Sequence, residues 1–352
     1  MLLFFVSIYL NIRTFFNCEN LVTSIMKKNS PIKSHKLYFA VGLIFFSILI
    51  SSCNPSVGEK NVEKQSTTKS EIFKLQEIPS ILSTPEHKAD YLLEHYWDNF
   101  NFNDTSILNK PEISEQQFVN FINILLQLQS EKADKGVVIL MKKAETNEKM
   151  YKYFFEQSEK YLYDPNSPMR NEGIYESFLK VALSSNAIDD THKIRPRKQF
   201  DLAQKNKPEQ KATDFKFTLR NGSSSRLYSV QTGFILLYFH NPECTDCKIV
   251  KEEIVNSLAI QNLLDQNKLK ILSIYPDEDL ITWQKHYDEL PSNWINAYDK
   301  GSIIKNEELY DLKAIPTLYL LDKQKKVLLK DARFEEIEQY ILKLSHYEQK
   351  QD

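Results

Sequence analysis

The stretch Phe234-Ile-Leu-Leu-Tyr-Phe239, followed shortly by Cys244-Thr-Asp-Cys247, decides the fold of the C-terminal part of this chain. Six consecutive apolar residues are typical of a buried central strand. The residues after the first cysteine predict a helix from Asp246 to Leu258. A thiolate at a helix N-terminus is stabilised by unpaired N–H groups and by the helix dipole. The second cysteine lies one turn further on and can close a disulfide with the first, so the placement predicts a reactive cysteine pair.

The sequence around this pair alternates strands with helices. Polar and apolar residues alternate in Asp214–Leu219, as is typical of a strand, and the hairpin-type turn Asn221-Gly222 follows. Lys270–Tyr275 and Thr317–Leu321 are further apolar runs, and the spacing of Phe334, Ile337, Ile341 and Leu344 predicts a closing helix. This order predicts an α/β domain over residues 206–352.

The middle of the chain, residues 81–205, predicts an all-α domain. Thr84-Pro85 offers an N-cap followed by a proline at the first helical position. The apolar residues from Leu93 to Phe100 follow at helical spacing, and Ser114 with Gln117 matches a capping box. The aromatic stripes of these helices predict a packed bundle core, with a ligand groove as the alternative.

The N-terminal 52 residues predict a leader. A basic stretch from 27 to 36 precedes the mostly apolar run Leu37–Ile50, as in a signal peptide. Ile50-Ser-Ser-Cys53 resembles a bacterial lipobox, which implies lipid attachment at Cys53 and a mature chain in an oxidising envelope compartment. Met26 is the expected true start, and residues 53–80 predict a lipid anchor and flexible tether. A retained transmembrane helix is the alternative.

Composition excludes several classes of function. The chain has 352 residues and a formal net charge of −2, so its overall charge does not favour binding to nucleic acid. Its seven glycines form no phosphate-binding loop. Its four cysteines contain a single close pair, which does not suffice for a four-cysteine zinc site. We expect no cofactor and no bound metal.

A second motif, Ala314-Ile-Pro-Thr317, stands directly before a predicted strand. Together with the Cys244–Cys247 pair it resembles the active site of the thioredoxin superfamily. The long spacing between Cys247 and Pro316, and the opening hairpin, resemble the TlpA/ResA-like branch. The resemblance implies a thioredoxin-like fold after the helical domain, and a redox-active disulfide. It also implies that Cys244 is the nucleophile, that Cys247 is the resolving thiol and that a cis Pro316 docks the substrate. The helical half resembles an uncharacterised domain that is fused to thioredoxin folds in bacterial lipoproteins.

The sequence departs from this family at three positions near the cysteines. Tyr238 stands where thioredoxin has a buried aspartate, Val250 replaces the ResA-type glutamate, and His240 replaces a tryptophan. The general base for the resolving thiol is therefore unidentified, with water, Glu252 or Glu253 as candidates. His240 is expected to be a packed or solvated side chain rather than a base.

These observations predict a lipid-anchored thiol–disulfide oxidoreductase that faces the periplasm, with the outer membrane favoured over the inner. Asp246 has two interpretations: it complements the helix N-terminus electrostatically, or its charge opposes thiolate formation at Cys244, which favours a reductant. The expected partners are protein disulfides and an upstream dithiol donor. One alternative is an envelope binding module with a non-catalytic thioredoxin-like fold. Another is a peroxidase, which Leu237 and Asn241 disfavour because they occupy the required proline and threonine positions.

Overall fold

The computed structural model describes residues 73–348, which belong to one compact unit. The predicted leader, Met26 and the lipid-attachment residue Cys53 lie outside the described residues. Among the residues that the structure does describe, no helix combines the length and the apolar character needed to cross a bilayer.

The first half of the described chain is helical, as the sequence predicts. Its helices are α1 (Pro85–His95), α2 (Ser114–Leu125), α3 (Ser130–Ala144), α4 (Glu148–Ser158), α5 (Glu172–Ser184) and α6 (Asp190–Ala203), with a 3-10 turn at Thr105–Asn109 and a π-helical turn at Glu159–Tyr163 that continues α4.

The ends of these helices test two sequence predictions. Thr84 caps α1 as predicted, because its hydroxyl accepts a hydrogen bond from the His87 N–H at 3.2 Å. The predicted capping box at Ser114 is wrong. Ile113 is the N-cap of α2, and Ser114 lies within the helix, where its hydroxyl donates to the Lys110 carbonyl. The Lys110 carbonyl lies one turn before Ser114, so this hydroxyl bonds backwards along the chain instead of capping the helix.

An aromatic core holds the helical domain together. The Trp97 ring is 1% exposed, and its centroid lies 5.3–5.4 Å from those of Phe100, Phe121 and Phe154 in edge-on contacts. Burial of each such side chain contributes about 1.5–3 kcal/mol. The predicted aromatic stripe therefore forms a packed bundle core, as expected, and not a ligand groove.

The second half of the described chain folds around a seven-stranded sheet of order β2-β1-β5-β4-β3-β6-β7. The strands are β1 (Lys216–Leu219), β2 (Ser224–Arg226), β3 (Phe234–Phe239), β4 (Leu269–Tyr275), β5 (Ile295–Tyr298), β6 (Thr317–Asp322) and β7 (Val327–Leu329). The accompanying helices are α7 (Thr245–Asn256), α8 (Leu258–Asp265), α9 (Leu280–Lys285), α10 (Ile303–Asn306) and α11 (Phe334–Glu348). The predicted helix Asp246–Leu258 corresponds to α7, which begins one residue earlier and ends two residues earlier than predicted. Leu258 is the first residue of α8.

Strand β3 lies in the middle of this sheet, as its apolar run predicts. It pairs in parallel with β4 and antiparallel with β6. Its side chains alternate between two cores, with Ile235, Leu237 and Phe239 in one and Leu236 and Tyr238 in the other. Because both faces are buried, the strand can be continuously apolar. The predicted fold class, a helical domain followed by an α/β thioredoxin-like sheet, is confirmed.

Candidate active site

The two cysteines of the CxxC motif occupy different environments at the start of α7. Cys244 is the N-cap and is partly exposed, and its Sγ accepts a hydrogen bond from the Cys247 N–H at 3.2 Å. Its own N–H donates to the Asn241 carbonyl at 3.1 Å. The sulfur that caps the helix thus accepts one backbone N–H at the positive end of the helix dipole, the kind of placement that stabilises a thiolate.

Cys247 is buried, with 1% of its surface exposed, and both cysteines are free thiols. Burial raises the pKa of the Cys247 thiol, and Cys244 and the Asp246 carboxylate raise it further. The buried thiol therefore stays protonated at neutral pH, while the partly exposed Cys244 lies at the surface. This asymmetry suits a dithiol in which the partly exposed sulfur attacks a disulfide first and the buried sulfur attacks the resulting mixed disulfide in a later step.

The Ile315–Pro316 segment faces the cysteines, as the sequence predicts. The peptide bond between these residues is cis, and the Ile315 carbonyl accepts from Cys244 Sγ at 3.6 Å. The sheet explains this proximity, because Thr317 at the start of β6 pairs with Phe239 at the end of β3. The chain segments that follow β3 and precede β6 therefore meet at one edge of the sheet.

A polar cluster that the sequence does not single out supports the loop before Cys244. Asn241 Oδ1 accepts from the Glu243 N–H at 2.9 Å, and its Nδ2 donates to Asp277 Oδ2 at 3.0 Å. Lys305 Nζ holds the other oxygen of Asp277 at 3.2 Å. Asparagine before a turn is the available sequence signal, but Asp277 follows β4 and becomes its neighbour through the sheet.

The position of thioredoxin's buried aspartate is filled by Tyr238, which is 1% exposed. Its hydroxyl donates to the Cys247 carbonyl at 2.6 Å. Burial, together with the two cysteines, raises the pKa of Tyr238, so its hydroxyl remains a donor. Tyr238 therefore anchors the first turn of α7 and does not serve as a carboxylate base would.

His240 is a packed side chain, in agreement with the sequence prediction. Its ring is 4% exposed, stacks on Tyr238 with centroids 4.6 Å apart, and lies 2.7 Å from Ser273 Oγ through Nε2. Burial lowers its pKa to about 3, and nearby Lys251 acts in the same direction. The imidazole is therefore neutral at physiological pH.

The two glutamates considered as bases lie five and six residues after Cys247 on α7. Glu253 is influenced by Glu335 and Glu338 of α11, and burial raises its pKa. Glu252 is exposed on the surface of α7. The groups that act on the Cys247 thiol are Cys244, Asn241 and Asp246. Neither glutamate is among these groups, so the base for Cys247 stays unassigned.

Comparisons with known proteins agree with the two-part architecture. Residues 52–206 match a family described as a domain of unknown function, DUF5106, and residues 233–327 match a family described as thioredoxin-like. A solved thioredoxin-like protein from Bacteroides caccae is 43% identical, covers 77% of this chain and 98% of its own, and superposes with a TM-score of 0.74.

Two further relatives match the C-terminal part. The solved C-terminal domain of an uncharacterized protein from Bacteroides fragilis is 47% identical, covers 39% of this chain and 98% of its own, and has a TM-score of 0.39. Human nucleoredoxin is 25% identical over 115 residues, which are 33% of this chain and 26% of nucleoredoxin. The chain thus spans about a quarter of the length of that curated relative.

The fold and the cysteine site define a thioredoxin-like domain that follows a separate helical domain. The Bacteroides caccae protein is matched over 98% of its own length at 43% identity, and this chain therefore belongs to the same family of thioredoxin-like proteins.

Proposed function

We propose that this protein is a thiol–disulfide oxidoreductase that reduces disulfides in proteins. The thioredoxin-like fold supports a redox function in general. The observation that carries the finer proposal is the asymmetry of the cysteine pair. Cys244 is partly exposed at a helix N-terminus beside the Ile315 carbonyl, whereas Cys247 is buried one turn behind it.

The proposed reaction has two exchange steps. The Cys244 thiolate attacks one sulfur of the substrate disulfide, so the substrate S–S bond breaks and its other sulfur leaves as a thiolate that takes up a proton. Cys247 then loses its proton to water and attacks Cys244 Sγ, which releases the second substrate thiol. Two electrons pass to the substrate, and the protein is left with a Cys244–Cys247 disulfide. Pro316 and the adjoining Ile315 carbonyl form the docking edge for the substrate chain.

A dithiol donor must then reduce the Cys244–Cys247 disulfide, so the proposed partners are protein disulfides and such a donor. We also propose that the protein acts in the cell envelope, attached by a lipid at Cys53 and facing the periplasm, with the outer membrane as its favoured location. The basic and apolar leader and the lipobox-like Ile50–Cys53 sequence support this proposal. Metabolic labelling with a fatty acid tests it, because Cys53→Ser should abolish both the label and the membrane fraction.

The redox proposal is tested with the purified protein and insulin as the disulfide substrate. We expect reduction by the wild-type protein when a dithiol is supplied, and loss of that activity in Cys244→Ser. Cys247→Ser should accumulate a mixed disulfide between Cys244 and the substrate, visible as a mass increase that dithiothreitol removes.

A matched alkylation experiment supplies the control. In the reduced protein, Cys244 should react with iodoacetamide much faster than Cys247, and denaturation should equalise the two. Equilibration in graded thiol buffers then gives the potential of the pair, which is expected near −270 mV, roughly that of thioredoxin. If Cys244→Ser keeps full activity in cells, or if no disulfide forms at any poise, the binding-module alternative replaces this proposal.

A further inference from the structure

The segment that leads to Pro316 is tied to a buried group of charges. Lys313 Nζ donates to Asp311 Oδ2 at 3.1 Å and to Asp331 Oδ2 at 3.0 Å. The side chains of Lys313 and Asp331 are only 13% and 14% exposed. Salt screens such buried ion pairs less than exposed pairs, and removing one partner of a buried pair is strongly destabilising.

The helical domain supplies the fourth member of this group, Arg170. Arg170, in the segment before α5, donates through Nη1 to Asp331 Oδ2 at 3.2 Å and through Nη2 to the Asp331 carbonyl at 2.8 Å. One carboxylate oxygen of Asp331 is therefore shared by Arg170 and Lys313. The planar guanidinium binds two oxygens of one residue, which fixes both the side chain and the backbone of Asp331.

A backbone conformation and one further contact belong to the same place. Asp331 has a φ of +44°, a left-handed conformation that residues other than glycine adopt rarely, and Arg170 holds it from two sides. The Lys313 ammonium lies 4.8 Å from the centre of the Tyr163 ring, which also belongs to the helical domain. A cation over an aromatic face at this distance is attracted to it.

We propose that Arg170 of the helical domain is a positioning residue for the Ile315–Pro316 docking edge. Lys313 stands two residues before Ile315, whose carbonyl lies 3.6 Å from Cys244 Sγ. Arg170 fixes Asp331, Asp331 fixes Lys313, and Lys313 fixes the backbone that faces the nucleophile. The helical domain thereby sets the geometry in which a protein substrate meets Cys244. This inference rests on the proposed function for its substrate, but the restraint itself is a property of the fold.

The test compares Arg170→Ala and Arg170→Lys with a matched control, Lys198→Ala. Lys198 also bridges the two domains, through an exposed ion pair with Glu308, outside the Asp311–Pro316 segment. Each protein is assayed with two disulfide substrates. Insulin is a protein substrate that needs the docking edge, whereas Ellman's reagent is too small to need it. Hydrogen exchange of peptides covering residues 311–321 is measured on the same proteins.

For Arg170→Ala we expect kcat/KM for insulin to fall about tenfold or more, because misplacing a reacting group by about 1 Å can cost about 10²-fold. The rate with Ellman's reagent should change less than about twofold, and exchange at 311–321 should quicken. Arg170→Lys keeps the charge but not the two-pronged contact, so it should recover part of the insulin rate. Lys198→Ala should match the wild type in all three measurements.

Equal losses with both substrates, or unchanged exchange at 311–321, would overturn the inference. If Arg170→Ala does not fold, Arg170→Lys decides alone by the same ratio of rates and the same exchange measurement. A wild-type protein that reduces neither disulfide contradicts the proposed function instead, and in that case the exchange data still decide whether Arg170 restrains the segment.

Discussion

Tyr238→Phe separates a structural role from a catalytic one at the position of thioredoxin's aspartate. The change removes a buried hydroxyl that donates to the Cys247 carbonyl at 2.6 Å. It leaves the ring in place, stacked on His240 and edge-on to Trp294 at 6.0 Å, so no large cavity forms. The carbonyl keeps the second donor that an α-helix supplies four residues on. The loss should therefore be about 1 kcal/mol, in the usual range for one hydrogen bond.

Urea denaturation measures this effect. With a slope of about 1–3 kcal/mol/M, the midpoint should fall by about 0.3–1 M. Tyr319→Phe is the matched control, because the Tyr319 hydroxyl is buried without a hydrogen-bond partner in the part of the chain that the structure describes. Removing that hydroxyl should be neutral or stabilising, since an unpaired buried polar group is costly.

The same variant decides whether Tyr238 accepts the proton of the resolving thiol. The raised pKa of Tyr238 and its carbonyl partner make it a donor. In Tyr238→Phe, release of a substrate thiol from the mixed disulfide should therefore keep its pH dependence. A change of more than about tenfold in that rate in a folded variant, or a shifted pH profile, would refute the reasoning, because tenfold exceeds what a loosened helix start explains.

Three further predictions concern His240, Gly233 and Cys247. The pKa of His240 is about 3 in the folded protein and 6.5 for a free imidazole. As the pH is lowered below 6.5, the imidazole is protonated in the unfolded state but not in the folded state, so the free energy of unfolding decreases. That loss is about 2 kcal/mol by pH 5 and should be absent in His240→Gln, as urea midpoints at pH 7 and pH 5 will show. Gly233→Ala places a Cβ 2.8 Å from a backbone oxygen and should cost about 1–3 kcal/mol, whereas the helical control Gly173→Ala should be neutral or stabilising. An equal effect of both substitutions would contradict that account. Alkylating Cys244 should lower the pKa of Cys247, measured by ultraviolet titration of the thiolate, and an unchanged value would contradict the contacts described.

The parts of this fold that follow from local patterns could be predicted from the sequence. The apolar run of β3, the cysteine pair that begins α7 and the proline before β6 each carry a signal within a few residues. The sheet then joins them, because β3 and β6 are neighbours with Phe239 opposite Thr317. Helix α6 carries a weaker signal, since Pro196 interrupts it and few of its side chains are buried.

The contacts that depend on distant residues could not be predicted in this way. Arg170 and Asp331 are 161 residues apart, and neither stands in a recognisable motif. The role of Tyr238 was likewise hidden, because an apolar strand residue and a buried donor look the same in a hydropathy pattern. Ser114 is the opposite case, because a local motif is present there but predicts the wrong contact. Its capping-box spacing is real, but its hydroxyl is taken by the Lys110 carbonyl and the helix starts one residue earlier than the motif requires.

The replacement of thioredoxin's buried aspartate by Tyr238 has a consequence for the order of the proposed reaction. In the reduced protein, burial and the neighbouring Cys244 both raise the pKa of the Cys247 thiol. Once Cys244 is bound in a mixed disulfide, it carries no charge and its share of this effect disappears. Burial and Asp246 remain, opposed by the Asn241 backbone. Formation of the mixed disulfide therefore makes Cys247 easier to deprotonate at the moment when its attack is needed. In the proposed reaction, the Cys247 thiol is therefore more acidic after the mixed disulfide has formed than before.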